Sequence, residues 1–299
     1  TVLALRKEMA IGEYDIAHTY NNSGLTSALI ASFGLPIKIV AYRGIVGNVN
    51  YFDPISWMRF LNPRIDRIIC VCDAIRDYFL NMKPRFLRMP RNRPVTIYKG
   101  HKLDWYQESP KDLAEFGVPD NSFVVGCVAN SRPRKGIEYL VEAIALLPKD
   151  INVCLLLVGH MKGYKLDKAI NNSLEKHRIY LPGFCDNAPT ISASCDVFCL
   201  PSVKREGLPR AVIEAMAYGV PAIVTDSGGS PELVQNGKSG IVIPIRNAKA
   251  IADSIEKLYR DPEFKKSLGM NAKKRIDVHF DNDETVKQTI NVYRDLLSV

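Results

Sequence analysis

Long apolar runs are the first thing missing from this 299-residue sequence. None approaches the roughly 20 residues that a membrane-spanning helix needs, so a helical integral membrane protein is not expected. Histidine is sparse. Its five copies, at positions 18, 101, 160, 177 and 279, show no metal-ligand spacing. Cys70 and Cys72 form a C-x-C with no second half elsewhere, which is not a zinc pattern. No period of roughly 20–50 residues repeats, which excludes solenoids and propellers, and no segment is low in complexity. No secretory signal opens the chain, which starts at Thr1 rather than Met, so a trimmed or partial chain is expected.

What is present suits a globular protein. A hydrophobic content of 46% in 299 residues allows one large or two ordinary domains. The formal charge of +8 favours anionic partners: nucleotide diphosphates, anionic lipids or nucleic acid. Seven cysteines are present, and Cys70, Cys72, Cys127, Cys154 and Cys199 lie in strand-like segments. There cysteine acts as a small apolar residue, which fits reduced core thiols in a cytosolic protein.

Taken in order, the chain alternates strands and helices, the pattern of a parallel sheet covered on both faces. Strands are predicted in YDIAHTY (14–20), PIKIVAYRG (36–44), RIDRIICVCD (64–73) and RPVTIYKG (93–100). A polar, turn-rich stretch over 100–122 reads as an interdomain link. A second α/β unit then runs from FVVGCVA (123–129) to SGIVIPI (239–245), with its ligand edge at the carboxyl ends of the strands. The tail carries apolar residues at Val286, Ile290, Val292, Tyr293, Leu296 and Leu297, a helix with one buried face.

The rest of the chain is organised around residues 201–229, PSVKREGLPRAVIEAMAYGVPAIVTDSGG. Ala211, Val212, Ile213, Ala215, Met216 and Ala217 surround Glu214, so a carboxylate sits in a helix that should be buried. Such a group is costly unless something hydrogen-bonds it. Arg210 is four residues back, but at the helix mouth. Glu206 precedes Gly207-Leu208-Pro209, and Pro209 suits a first helical turn. Ligand hydroxyls would satisfy both acids, and the open N–H groups of Gly207, Leu208 and Arg210 would favour sugar or phosphate oxygens. Arg132, Arg134 and Lys135 follow the first strand of the second unit, where three cations in four residues suit a diphosphate. Ser227 and Gly228 lie at a strand end where glycine lets backbone approach a ligand closely, and Gly159 ends another strand in the same way.

Two glutamates separated by seven residues, ahead of EAMAYGVPAIVTDSGGSPELV, closely resemble the signature of family-4 retaining glycosyltransferases. The resemblance covers roughly the whole chain and is strongest over 123–245. It implies the glycosyltransferase B fold: α/β, with two Rossmann-like doubly wound domains facing a cleft. Residues 1–108 would form an N-terminal acceptor domain and 109–280 the nucleotide-sugar domain, with a C-terminal helix over 281–299 returning to the first. Nothing matches the family's opening strand and glycine-bearing loop, so the first domain is expected to be incomplete.

The resemblance also implies roles. The loop at Lys135 would hold the donor's phosphates. The family's arginine falls where this chain has Asn130, so Arg132 is the expected substitute, ahead of Arg134. Glu206 would meet the hydroxyls of the transferred sugar and Glu214 those of the ribose. The LPGF segment (181–184) occupies the place of the base, where Phe184 would either stack on it or belong to the core. Arg43 stands where the family often has a histidine, and would contact sugar or phosphate or serve only as a strand-end cation. No metal or other cofactor is expected, because the cations take its place.

The expected function is transfer of a sugar from a nucleotide-diphosphate sugar to a glycan or lipid-linked acceptor with retention, in lipopolysaccharide or surface-polysaccharide synthesis. The alternatives are a sugar-nucleotide epimerase or hydrolase of the same fold and a non-catalytic sugar-nucleotide-binding module. Lys83, Arg85, Arg88, Arg91, Arg93, Lys99 and Lys102 form a basic run without an acid. It is either a solvated loop or a surface for anionic lipid or phosphorylated glycan. Nucleic acid is not expected, because aromatic interleaving for base stacking is missing. The expected location is the cytoplasm, with a peripheral place at the inner face of the membrane.

Overall fold

The computed structural model describes residues 1–84 and 86–298, so Arg85 of the basic run lies outside the described residues. The chain divides into two compact units, Thr1–Lys99 with Asn282–Val299, and Gly100–Asp281.

In the first unit, strands β1 (Ile16–Thr19), β2 (Lys38–Arg43), β3 (Ile65–Cys70) and β4 (Pro94–Thr96) pair in parallel, in sequence order. Ile39, Val40, Ala41, Ile68, Ile69 and Cys70 are buried, as strands covered on both faces require. Asn21 starts the helix Asn22–Ala31 by accepting a hydrogen bond from the Gly24 amide. The helix Asn282–Leu297 lays Val292, Tyr293 and Leu296 against Val40, Ile69 and Ile97. Thr285 of that helix donates to the Tyr98 carbonyl at 2.7 Å, and Tyr293 meets Nδ1 of His18 at 2.6 Å.

The second unit holds strands β5 (Phe123–Val128), β6 (Val153–Val158), β7 (Ile179–Gly183), β8 (Val197–Leu200), β9 (Ala222–Thr225) and β10 (Gly240–Ile243). All are parallel, in the order β10-β9-β8-β5-β6-β7. The chain builds outward from β5 through β6 to β7, then returns to place β8 on the other side of β5. That reversal opens a crevice beyond the carboxyl ends of β5 and β8, the place where such sheets bind ligands. The cysteines are packed as apolar groups, and burial pushes the thiols of Cys127 and Cys195 up to about 12, which leaves them inert as nucleophiles.

The stretch read as a link belongs to the second unit. Leu113, Phe116 and Val118 pack on Val124 and Leu156, and the His101 amide donates to the Phe280 carbonyl at 2.7 Å. Polarity made 100–122 look like a connector, but its few apolar residues are enough to seat it. The same unit contains two helices, Ala248–Arg260 and Pro262–His279, after β10.

Candidate functional site

Three loops leave the carboxyl ends of neighbouring strands β5, β8 and β9 and converge on Glu206. The loop after β5 makes one tight turn over Pro133–Lys135 and ends at Gly136 with φ +63°. A Cβ at Gly136 would sit 2.4 Å from the Pro201 carbonyl oxygen, so only glycine lets this loop press on the one after β8. The Val203 amide donates to the Arg134 carbonyl at 2.8 Å and stitches the two loops together. Arg205 is left-handed at φ +64°, a strained conformation that turns the chain just before Glu206.

Behind Glu206 stands the loop after β9. Gly228 has φ +60°, and a Cβ there would lie 2.0 Å from the Glu206 carbonyl oxygen. The Gly229 amide donates to that same oxygen, and Thr225 donates its hydroxyl to the Ser202 carbonyl. Backbone packing therefore fixes where the Glu206 side chain starts.

The Glu206 side chain is 5% exposed. Its Oε1 accepts from Lys135 Nζ at 2.7 Å, Ser202 Oγ at 2.7 Å and Arg134 Nη1 at 3.1 Å. Two of these donors are cationic, which makes the bonds strong and compensates the buried charge. Among the described residues no donor reaches Oε2. One oxygen is thus saturated by the protein, and the other keeps its acceptor capacity.

Glu214 lies in the helix Arg210–Ala217, whose N-cap is Pro209. Its buried carboxylate accepts from Arg210 Nε at 2.6 Å, while the Arg210 side chain is itself 71% exposed. Glu214 and Arg210 line a cleft of about 630 Å³ together with Trp105, Tyr106, Phe184 and Tyr218. That volume suits a nucleotide-sized ligand. Burial, followed by the Glu214 charge, pushes the Tyr106 phenol up to about 12. Phe184 is 64% exposed and stacks on His160, with ring centroids 5.4 Å apart and planes at 14°. It is a surface platform, not a core residue.

Expectation and structure part at several points. Ligand hydroxyls were to satisfy the two acids; instead each already has a cation, Lys135 and Arg134 on Glu206 and Arg210 on Glu214. The turn at Pro133–Lys135 folds Arg134 onto Glu206 and leaves Arg132, the arginine expected for the phosphates, exposed. Gly207, Leu208 and Ser227 are buried at the helix mouth and the β9 loop. Gly159 ends β6 with φ +120°, 2.2 Å (as a built Cβ) from the Ala129 carbonyl oxygen, so it serves close strand-end packing.

Arg43 belongs to the first unit, where it is 5% exposed. Its Nε donates to the Ile45 carbonyl at 3.0 Å, its Nη2 donates to the Gly47 carbonyl, and its guanidinium lies 4.6 Å over the Phe60 ring. Burial lowers it to about 10. Arg43 holds the loop after β2 and lines a small cavity of about 220 Å³ with Asn22, Asn48, Asp53 and Arg59.

Sequence reasoning missed Ser202, whose only signal was its place four residues before Glu206. It also missed the aromatic wall of Trp105, Tyr106 and Tyr218, and the His160 partner of Phe184. An Asp-x-Asp spacing occurs at Asp281–Asn282–Asp283, where the final helix begins. Among the described residues no group of three or more His, Cys, Asp or Glu side chains could hold a metal ion.

Comparison with known proteins bears on this geometry. The model of the family described as Glycosyl transferases group 1 matches residues 108–275, which contain Lys135, Glu206 and Glu214. The N-acetyl-alpha-D-glucosaminyl L-malate synthase of Bacillus anthracis is 29% identical over 184 residues, 61% of this chain and 48% of that protein. The GDP-mannose-dependent alpha-(1-6)-phosphatidylinositol monomannoside mannosyltransferase of Mycolicibacterium smegmatis is 30% identical over 286 residues, 90% of this chain and 74% of that one. HepE of Anabaena, solved in complex with UDP-glucose, superposes with a TM-score of 0.84 at 24% identity, covering 98% of this chain and 81% of that one. The chain spans about half the length of the first two curated relatives, 48% and 55%.

Proposed function

This chain belongs to the glycosyl transferases group 1 family and has the glycosyltransferase B fold, and we propose that it moves a sugar from a nucleotide-diphosphate sugar to a glycan or lipid-linked acceptor with retention of configuration. The observation that carries this reading is the half-saturated carboxylate of Glu206 beside Lys135 and Arg134, at the reversal of the second sheet.

The chemistry follows from those groups. The bond between the sugar's anomeric carbon and the diphosphate oxygen breaks, and the acceptor oxygen bonds to that carbon as its proton passes to the departing diphosphate oxygen. Charge builds on the departing diphosphate. Lys135, Arg134 and the exposed Arg132 would neutralise it, assisted by the amides at the mouth of the Arg210–Ala217 helix. Oε2 of Glu206 would accept a hydroxyl of the transferred sugar and steady its oxocarbenium-like form. Glu214 would accept ribose hydroxyls, and the Phe184–His160 pair would offer its face to the base. On this reading the cations do the work of a divalent metal, and unchanged turnover in a chelator is the expected result.

The lipid-linked acceptor is supported by the phosphatidylinositol-linked acceptor in the name of the M. smegmatis relative. A surface glycan such as lipopolysaccharide, made at the inner face of the membrane, fits the basic balance of the chain. The test is release of nucleoside diphosphate from a panel of nucleotide sugars, with and without a polyprenyl-diphosphate-linked or phosphatidylinositol acceptor. Acceptor-dependent release supports a transferase. Equal release without acceptor favours a hydrolase, and donor binding without turnover favours a binding module.

A further inference from the structure

The second unit carries a basic cavity that the groups around Glu206 do not use. The helix Pro262–His279 sets Lys266, Met270, Lys273 and Lys274 on one face, where residues three and four apart are neighbours. With Leu103 and Tyr218 they line a cavity of about 580 Å³. Asp277 is the one acid among its lining residues. Among the described residues none of the three lysines has a carboxylate partner, and Asp277 forms no ion pair with Lys273 although it lies one turn away. Their neighbour Lys265, by contrast, is paired with Asp196. The nearby helix end does not occupy them either. The carbonyls of Glu214, Ala215 and Met216, in the last turns of the helix Arg210–Ala217, accept from the amides of Tyr218, Val220 and Gly219.

The seat is firm. A Cβ at Gly269 would lie 2.2 Å from the Gly219 carbonyl oxygen, so the two helices meet backbone to backbone just before Met270. Met270 is 61% exposed, an apolar side chain held between cations. Lys266 and Lys273 are seven residues apart, about 10 Å along the helix axis, so the positive charge falls at two ends with Met270 between them. One phosphate answers one end. A small molecule with a phosphate at each end answers both, and lysine serves phosphate as a compact point charge. Three lysines fall short of the cluster of about four to eight that marks a lipid-binding surface.

Tyr218 joins this cavity to the cleft at Glu214, because it lines both. Burial, then the charges of Glu108 and Glu214, raise its phenol, so its hydroxyl feels the acids of that cleft while the residue closes the basic cavity. We propose that the basic cavity binds a bis-phosphorylated small molecule, one phosphate on Lys266 and the other on Lys273 and Lys274, and that its occupant raises donor affinity by holding the Tyr218 wall in place. Coupling of this kind is reciprocal, so the donor tightens the occupant equally. The anion site stands on the cavity alone; the coupling rests on the donor cleft of the proposed function.

Calorimetric titration of the full chain tests it, with fructose bisphosphate and adenosine bisphosphate as the two sources of paired phosphates, and glucose phosphate and inorganic phosphate as single ones. At least one bisphosphate binds about tenfold tighter than either single phosphate. Lys266→Gln, and Lys273→Gln together with Lys274→Gln, each weaken it about fivefold or more without shifting the melting temperature of the free protein. Equal weak binding of all four, which means an adventitious ion only, or binding that ignores the lysine substitutions, overturns the site. Donor affinity, read by titration with nucleotide sugars, rises about fivefold when the bisphosphate saturates the wild type, and does not rise in the lysine variants. An unchanged donor affinity overturns the coupling. Should no nucleotide sugar bind at all, the proposed function and the coupling fall together, while the bisphosphate titration still decides the anion site.

Discussion

Lys135 and Glu206 are 71 residues apart in the chain, and their side chains meet at 2.7 Å where the second sheet reverses direction. Each comes from a different loop, and each loop leaves one of two paired strands, β5 and β8. Removing the lysine alone leaves a buried carboxylate with fewer donors. Lys135→Met should cost about 1–3 kcal/mol of stability, because Arg134 and Ser202 remain. Replacing both residues, Lys135→Met with Glu206→Leu, should recover much of that loss while leaving the protein inactive. Chemical denaturation of the two singles and the double gives the coupling energy, and strict additivity would mean that the pair does not interact.

Ser202 is a positioning residue. Its hydroxyl shares Oε1 of Glu206 with the two cations, so Ser202→Ala leaves that oxygen held by the cations alone and less well oriented. The expected loss is about fivefold to thirtyfold in kcat/KM, falling mainly on kcat. Thr at this position keeps the hydroxyl and should restore most of the rate. Steady-state kinetics of the two variants decides it.

Gly228 is fixed by space as well as by φ. Ala in its place puts a Cβ 2.0 Å from the Glu206 carbonyl oxygen, so the β9 loop must retreat. Gly228→Ala should destabilise the chain by more than about 1 kcal/mol and abolish transfer, because the retreat releases the backbone that aims Glu206. Thermal unfolding together with turnover checks this.

The first unit should weaken in acid through one histidine. Burial lowers His18 to about 4, and its Nε2 is buried without a hydrogen-bond partner among the described residues. The unfolded chain takes up a proton near 6.5, the folded one only near 4. The stabilisation is therefore complete above about pH 6.5 and falls away as pH drops from there toward 4. Because His18 touches Tyr293, the Asn282–Leu297 helix should loosen in that window. Limited proteolysis across pH, compared with His18→Phe, should show tail cleavage that rises in the wild type and stays flat in the variant.

Much of the second unit was legible. Its strands are continuous apolar runs, as doubly covered parallel strands must be, and the acids at 206 and 214 stand out against apolar neighbours. The pairing of those acids was not legible. Whether Arg132 or Arg134 reaches Glu206 depends on one turn over Pro133–Lys135, and a turn of that kind has no periodicity to read. Arg210 lies one helical turn before Glu214, a spacing that favours contact, yet at the helix mouth the sequence left it open to serve elsewhere. The stretch 100–122 misled by composition, since Phe116 and Val118 attach it to a core that only the tertiary structure brings near.

The account turns on the open oxygen of Glu206. Glu206→Gln keeps the shape, keeps an acceptor oxygen, and removes the charge that steadies the departing sugar. The decisive measurement is the transfer rate of this variant alongside its affinity for the donor. The account predicts transfer lower by about a thousandfold or more, with donor affinity changed by less than about tenfold. Near wild-type transfer by Glu206→Gln would contradict it.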